Sequence, residues 1–276
     1  MASASGSADY LLGSSDAEHE RLIRQAKRLA PVTERFLREA GLGPGQRVLD
    51  VGAGVGDVTI LLSHLVGPTG EVVAVERDAR SIDRAKTRVV EAGLQNVTFT
   101  HTDIAQFSSD TLFDALVGRY ILQFLPDPVG TLRSLSNIVR PGGVVAFQEG
   151  SWKPFVLLSA HLPLWSAGVS LIREASARFG VNLEMGPELH KVFQDAGLPA
   201  PRMRLEMELG HDPDFTRWVS DVVNTLLPQI KKFDLPLAHL GDLDTLEQRL
   251  QEEVAASQTV VPWIALVGAW CRKSTE

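Results

Sequence analysis

Three glycines and two acids carry most of the chemistry legible in this chain. Gly52, Gly54 and Gly56 stand in VLDVGAGVGD, residues 48–57, directly after a hydrophobic run; Glu76 ends the next such run and Asp103 follows the third. Glycine lets a backbone approach a ligand closely and takes positive φ without steric cost. A helix opening behind the glycines presents unpaired amide donors to a phosphate or a carboxylate. A carboxylate twenty residues past Gly56 is placed to accept both hydroxyls of a ribose. The acid at 103 is placed to accept from the amino group of an adenine. Three strand ends thus outline a nucleoside site.

The glycine spacing bears on which nucleoside. A dinucleotide fingerprint reads GxGxxG, whereas this chain reads GAGVGD, with the third glycine one place early and Asp57 where the last would stand. That departure, with two acids on successive strand ends, favours S-adenosylmethionine, which has no pyrophosphate. A nicotinamide-dependent oxidoreductase stays as the lesser alternative. Singly, a glycine cluster is often only a tight turn and a terminal acid only a solvated cap, so the joint placement carries the argument. Asp50 stays open between touching the ligand and holding the glycine loop.

With these residues the chain resembles the class I S-adenosylmethionine-dependent methyltransferases over nearly its whole length. Further matching segments are YILQFLPDPVGTLRSLSNIVRPGG, residues 120–143, and VVAFQEG, residues 144–150. The resemblance implies Asp50, Gly52 and Gly54 along the methionine and ribose, and Glu76 with its neighbour Arg77 at the ribose. Asp103 would serve the adenine, with Ile104 and the backbone at Gly118 and Arg119 completing the wall. Tyr10 and Gln25 would close over the methionine end, and Thr59 would reach its carboxylate. The implied fold is α/β and Rossmann-like: a seven-stranded, mostly parallel sheet of order 3-2-1-4-5-7-6, last strand antiparallel, with helical cap insertions.

The elements that must position these residues follow from periodicity. Strands are expected over 46–51, 71–75 and 97–102, and helices over 57–66, 79–92 and 129–139, an alternation that implies right-handed crossovers and a parallel sheet. Residues 1–14 are expected to form a flexible tail and 15–276 one domain. Ser15 and Glu18 make a capping-box pattern, and Pro31 fits the first turn of a second helix ending at Gly41. Beyond Gly150 the pattern predicts helices over 155–179 and 187–196 and strands over 202–209 and 263–271. Cap or lid segments are expected at about 151–200 and 211–260, the second far longer than a hairpin needs.

Ligands of open parallel sheets bind beyond the carboxyl ends of the strands. The acceptor wall is therefore sought in Tyr120 and Gln123 at one exit, in Gln148, Glu149 and Trp152 at the next, and in His161, Trp165 and Trp218 on the cap. Such a wall suits a largely apolar small molecule. Methyl transfer from a sulfonium is a single displacement, so alignment and water exclusion supply most of the catalysis. For a hydroxyl acceptor, His161 and Glu149 are the expected bases. The stretch VGRYILQF lacks the Asn/Asp-Pro-Pro-Tyr signature of nitrogen methylation in nucleic acids and proteins. It also lacks the carboxylates of metal-dependent catechol enzymes, so no metal is expected.

The 276 residues, 44% hydrophobic, are ample for a core. A net charge of −7, from 27 basic and 34 acidic residues, argues against a nucleic-acid partner. The lone Cys271 forms no internal disulfide, and the sequence shows neither a signal segment nor a long apolar span. A cytoplasmic bacterial enzyme of secondary metabolism with no membrane partner is expected. A protein that keeps S-adenosylmethionine as a structural element while the cap rearranges a substrate is the alternative from another class.

Overall fold

The computed structural model describes residue 13 and residues 15–275. Tyr10 and most of the expected tail lie outside the described residues. Helix α1, Asp16–Ala40, opens on Ser15, whose side chain accepts from the Glu18 N–H, and stops at Gly41 in the left-handed region. Its length corrects the expected break at Pro31. The proline ring lies on an exposed position while Leu29, Val32, Phe36 and Leu37 are buried around it. Burial of that face offsets the one missing backbone hydrogen bond.

Strands and helices then alternate as β1 Arg47–Val51, α2 Asp57–Val66, β2 Glu71–Glu76, α3 Ala79–Glu91 and β3 Val97–His101. Strand β4, Phe113–Arg119, helix α4, Pro128–Ser136, and strand β5, Val139–Ser151, complete the parallel part. Helix α4 ends three residues before the expected 139 because Val139 already pairs with Phe113. Helices α5 Trp152–Ser159, α6 Pro163–Phe179 and α7 Met185–Asp195 follow, then β6 Arg202–Glu206, β7 Leu209–Gly210, α8 Pro213–Lys232, α9 Leu246–Ala256, β8 Val261–Pro262 and β9 Ala265–Arg272.

The main sheet has the order β3-β2-β1-β4-β5-β9-β6, with β9 antiparallel to both β5 and β6. That is the order expected from the resemblance, since β7 and β8 form a separate two-residue ribbon. Alternate residues face opposite ways along each strand. On one face Leu49, Val51, Leu116 and Phe147 pack with α4 and α7; on the other Val48, Val72, Val117 and Ala146 pack with α2 and the end of α1.

The cap has its own apolar core. Trp152, Phe155 and Trp165 meet Trp218, Val219 and Leu250 from α8 and α9, with Leu29 and Val32 of α1 below. The expected single helix 155–179 is two helices, because Leu162 is extended and Pro163 restarts α6 at its first turn. Helix α7, expected within the cap, lies instead on the sheet through Met185, Leu189 and Phe193. The expected strand 202–209 stops at Glu206, and Leu209 joins Pro262 in the small ribbon. Among the described residues no helix is long and apolar enough to cross a membrane.

Candidate active site

The parallel strands end at a cleft between the sheet and the cap. At its floor the loop after β1 carries Gly52, Gly54 and Gly56 at φ of 71°, 53° and 85°. A Cβ on Gly52 would stand 2.6 Å from Ile121 Cδ1, and one on Gly56 would stand 3.0 Å from Ala85. At Gly54 a Cβ would meet open space, so that residue is chosen for its left-handed backbone and bare approach rather than for packing.

Glu76 holds this loop. Its Oε2 accepts from the Gly54 N–H at 2.9 Å, and its Oε1 accepts from the N–H groups of Arg77 at 2.8 Å and Asp78 at 2.9 Å. An ionised carboxylate offers about four acceptor sites, so three amide donors still leave room for a sugar hydroxyl. Glu76, Arg77, Asp103, Ile104, Gly52 and Gly54 line one cavity. Asp103 caps the turn Ile104–Gln106 by accepting from the Ala105 N–H at 2.9 Å. A bare glycine loop, an acid from β2 and an acid after β3, sharing one cavity, fit a ribose and an adenine.

Asp50 and Thr59 are placed differently. The Thr59 hydroxyl donates to the Asp50 carboxylate at 2.6 Å, and both side chains are buried beneath the loop. Burial pushes the Asp50 carboxyl up to about 6, opposed by the Thr59 bond and by Arg119. Neither residue is among those lining the cleft. Their bond ties β1 to the start of α2, which steadies the loop between them.

The β4 exit supplies the next wall. Tyr120 takes a left-handed φ of 54° and donates its N–H to the Gln148 carbonyl at 2.9 Å. Burial raises its phenol above the usual range, with Arg119 opposing and Glu149 adding to the rise. Arg119 lines the cleft and donates to the Thr33 hydroxyl at 3.1 Å. Gly118 sits behind it, where a Cβ would lie 2.5 Å from the Phe147 ring.

Glu149 lies under this exit and lines neither cavity. One carboxyl oxygen, Oε1, accepts from the N–H groups of Ile121 at 3.0 Å and Leu122 at 2.8 Å, while Oε2 is buried without a partner. Burial pushes its pKa up to about 8, against the pull of those backbone donors. A buried carboxyl that holds its proton more tightly than usual and lines neither cavity is placed to anchor the loop rather than to meet an acceptor. Gln148 is similarly buried, with its side-chain oxygen unpaired.

Of the residues expected in the acceptor wall, Trp152 from the strand exit and Trp218 from the cap line the cleft with Gln123, the two rings 5.8 Å apart. Trp165 is buried behind them against Phe155 and is not among the residues lining the cleft. His161 is exposed on the outside of the cap, 3.3 Å from the Thr259 hydroxyl. The bend at Leu162 explains its place: burying that leucine turns the preceding residue outward.

Helix α1 contributes residues beyond the expected Gln25. Arg21 and Leu22 line the cleft beside it. Arg21 donates to both oxygens of the fully buried Glu18 at 2.7 and 2.6 Å and to Gln25 at 2.9 Å, while Thr225 of α8 donates to the same Glu18. The spacing 18, 21, 22, 25 is one face of a helix, a signal present in the sequence. The apolar wall facing the glycine loop adds Ile172, Val181, Leu183, Val222, Leu226 and Ile264.

Comparison with known proteins agrees with this geometry. A family profile described as a methyltransferase domain matches residues 42–197. A demethylmenaquinone methyltransferase of Staphylococcus aureus is 33% identical over 183 residues, spanning 62% of this chain and 75% of that protein. Among solved structures, the YcgJ protein of Bacillus subtilis superposes with a TM-score of 0.60 at 16% identity, over 91% of this chain and 99% of its own. An S-adenosylmethionine-dependent methyltransferase of Geobacter sulfurreducens, solved with S-adenosylhomocysteine, gives 0.53 at 20% identity, over 89% and 91%.

Proposed function

This chain belongs to the methyltransferase-domain family of class I S-adenosylmethionine-dependent enzymes, and from that membership we propose that it methylates a largely apolar small molecule. The observation that carries this reading is one cleft with two unlike walls. The bare loop at Gly52 and Gly54 faces Trp152, Ile172, Leu183, Trp218 and Leu226 across it. An apolar wall with a few convergent polar groups, here Tyr120, Gln123 and Arg119, is the usual make-up of a small-molecule site. The Staphylococcus aureus relative, named for demethylmenaquinone, supports an apolar, quinone-type ring as the acceptor class. A tailoring step of secondary metabolism, in the cytoplasm of a bacterium, accords with such an acceptor.

Bound S-adenosylmethionine supplies an electrophilic methyl group. Glu76 would hold its ribose, Asp103 and Ile104 its adenine, with Arg77 at the rim, and Gln25, Arg119 and Gly54 its amino-acid end. Tyr120, kept protonated by burial, donates a hydrogen bond to the acceptor and orients it. An acceptor seated on the apolar wall displaces water from it, so that alignment does most of the work. Among the described residues His161 lies outside the cleft and Glu149 beneath it, and Asp57, the carboxylate on the wall facing the acceptor, is paired with Arg88 at 2.7 Å. That arrangement favours an acceptor acidic enough to ionise itself, such as a phenol or a quinol.

The test is incubation with methyl-labelled S-adenosylmethionine, a reduced naphthoquinone and fractionated bacterial metabolites, followed by mass spectrometry. Label in a small apolar product, with S-adenosylhomocysteine released in step, bears the reading out. Cofactor binding without label in any fraction moves the assignment to a non-methylating use of the cleft, and failure to bind the cofactor removes the reading altogether.

A further inference from the structure

Beside the apolar cleft, and sharing Arg21, Gln25 and Trp218 with it, runs a second, polar cavity between α1 and α8. Its walls are two helix faces. From α1 come Arg21, Arg24, Gln25 and Arg28, spaced i, i+3, i+4 and i+7, with Lys27 at the edge; from α8 come Asp214, Arg217, Trp218 and Asp221 at the same spacing. Glu208 and Trp263 close the end. Five cations and three acids line a groove in a chain whose net charge is −7.

Glu18 behind Arg21, Asp212 at Arg28 and Glu247 at Arg217 balance the groove as a whole, and the unmatched cations are local to Arg24, Lys27 and Arg217. Asp221 is shared by Arg24 at 2.9 Å and Arg217 at 3.3 Å, so one carboxylate faces two guanidinium groups. Arg28 stands over the Phe215 ring and reaches Asp212 only at 3.6 Å and Glu208 at 3.9 Å, beyond hydrogen-bond length. Lys27 is exposed and has no partner among the described residues. At the junction of groove and cleft, the indole N–H of Trp218 is buried with no acceptor. Where the two cavities meet, this indole N–H is thus a buried donor without a partner among the described residues, and such a donor is costly.

Resting on the reading of the cleft as an acceptor site, we infer that the groove binds the anionic end of the substrate, a carboxylate or a phosphate, whose apolar body lies in the cleft. Arg24 and Lys27 set the charge, Arg28 lies along the path, and Trp218 donates at the point where body and head join. The acceptor is then an amphiphile carrying one acidic group, which narrows the substrate class beyond an apolar ring. Carboxylate and phosphate share the chemistry the groove recognises, and the two are separated by the probes used.

The experiment is titration calorimetry on the whole protein saturated with S-adenosylhomocysteine, using octanoate, octyl phosphate and 1-octanol as probes at low and high salt. At least tenfold tighter binding of one or both anions than of the alcohol is expected, with the advantage shrinking as salt screens the groove. The tighter anion names the head group. Lys27→Glu, at an exposed position, and the double variant Arg24→Glu with Lys27→Glu should each reduce the advantage, the double variant to less than threefold, while S-adenosylhomocysteine binds as before. Equal binding of anions and alcohol, or an anion preference untouched in the Lys27→Glu variant, overturns the inference. Loss of S-adenosylhomocysteine binding by the unaltered protein is a separate result that strikes the cofactor reading instead.

Discussion

The carboxyl of Glu149 accepts the backbone N–H of Leu122 at 2.8 Å, and this bond joins the end of β5 to the loop that shapes the cleft. The loop needs such an anchor, because Tyr120 before it holds a left-handed φ of 54°. The bond also sets a pH dependence. Glu149 keeps its proton to about pH 8 in the folded protein but loses it near its ordinary 4.5 when unfolded. Between those values the folded state binds more protons than the unfolded state, so its contribution is full below about 4.5 and is lost as pH rises through about 8. Glu149→Gln keeps an acceptor for the two amides and cannot ionise. Urea unfolding should show the variant gaining on the parent as pH rises from 5 to 8, with a slope approaching ~1.4 kcal/mol per pH unit. Parallel curves for the two proteins would mean that Glu149 does not titrate in this range.

Glu76→Ala removes the acceptor of three backbone N–H groups, one of them on Gly54. The loop loses its tether and the ribose its partner together. Hydrogen bonds to a charged group contribute ~1.5 to 3 kcal/mol, so S-adenosylmethionine affinity should fall roughly ten- to a hundredfold. Calorimetry checks this, and unchanged affinity would take Glu76 out of the site.

How far the site was legible differs from residue to residue, for physical reasons. Gly52, Gly54, Glu76 and Asp103 are local signals: each stands within a few residues of a strand end, and a parallel sheet carries all such ends to one rim. Glu149 stands at a strand end too, yet its side chain points under the loop. Residue type and position do not encode that choice, since an extended strand alternates its faces and a one-residue difference decides. His161 depended on a helix boundary that Pro163 marked, and the turn there faces solvent. Pro31 shows the reverse, with tertiary packing carrying a helix through a breaker. Arg21 and Leu22 were written in the helical spacing of α1, but only the docking of α1 against α8 brings them to the cleft.

His161→Ala tests the cap boundary. The side chain is exposed and, among the described residues, its polar contact is with the Thr259 hydroxyl. Stability should change by less than about 0.5 kcal/mol, and turnover should equal that of the parent once an acceptor is known. A loss of turnover beyond tenfold with cofactor affinity intact would put the histidine at the reacting atoms and require the cap to close differently in solution.

Leu183→Ser separates the two halves of the cleft. Leu183 is only half-buried and lines the apolar wall, away from Glu76 and Asp103. Removing that apolar surface should cost an apolar acceptor about 1 kcal/mol of binding, or roughly fivefold in KM. The adenosine half shares no contact with this position, so S-adenosylhomocysteine affinity should stay within twofold in calorimetry. The contrast carries the argument: a raised KM with intact cofactor binding assigns the wall to the acceptor. Equal loss of both affinities would show that Leu183 supports the whole cleft through packing, and the apolar wall could no longer be taken as the mark of an apolar acceptor.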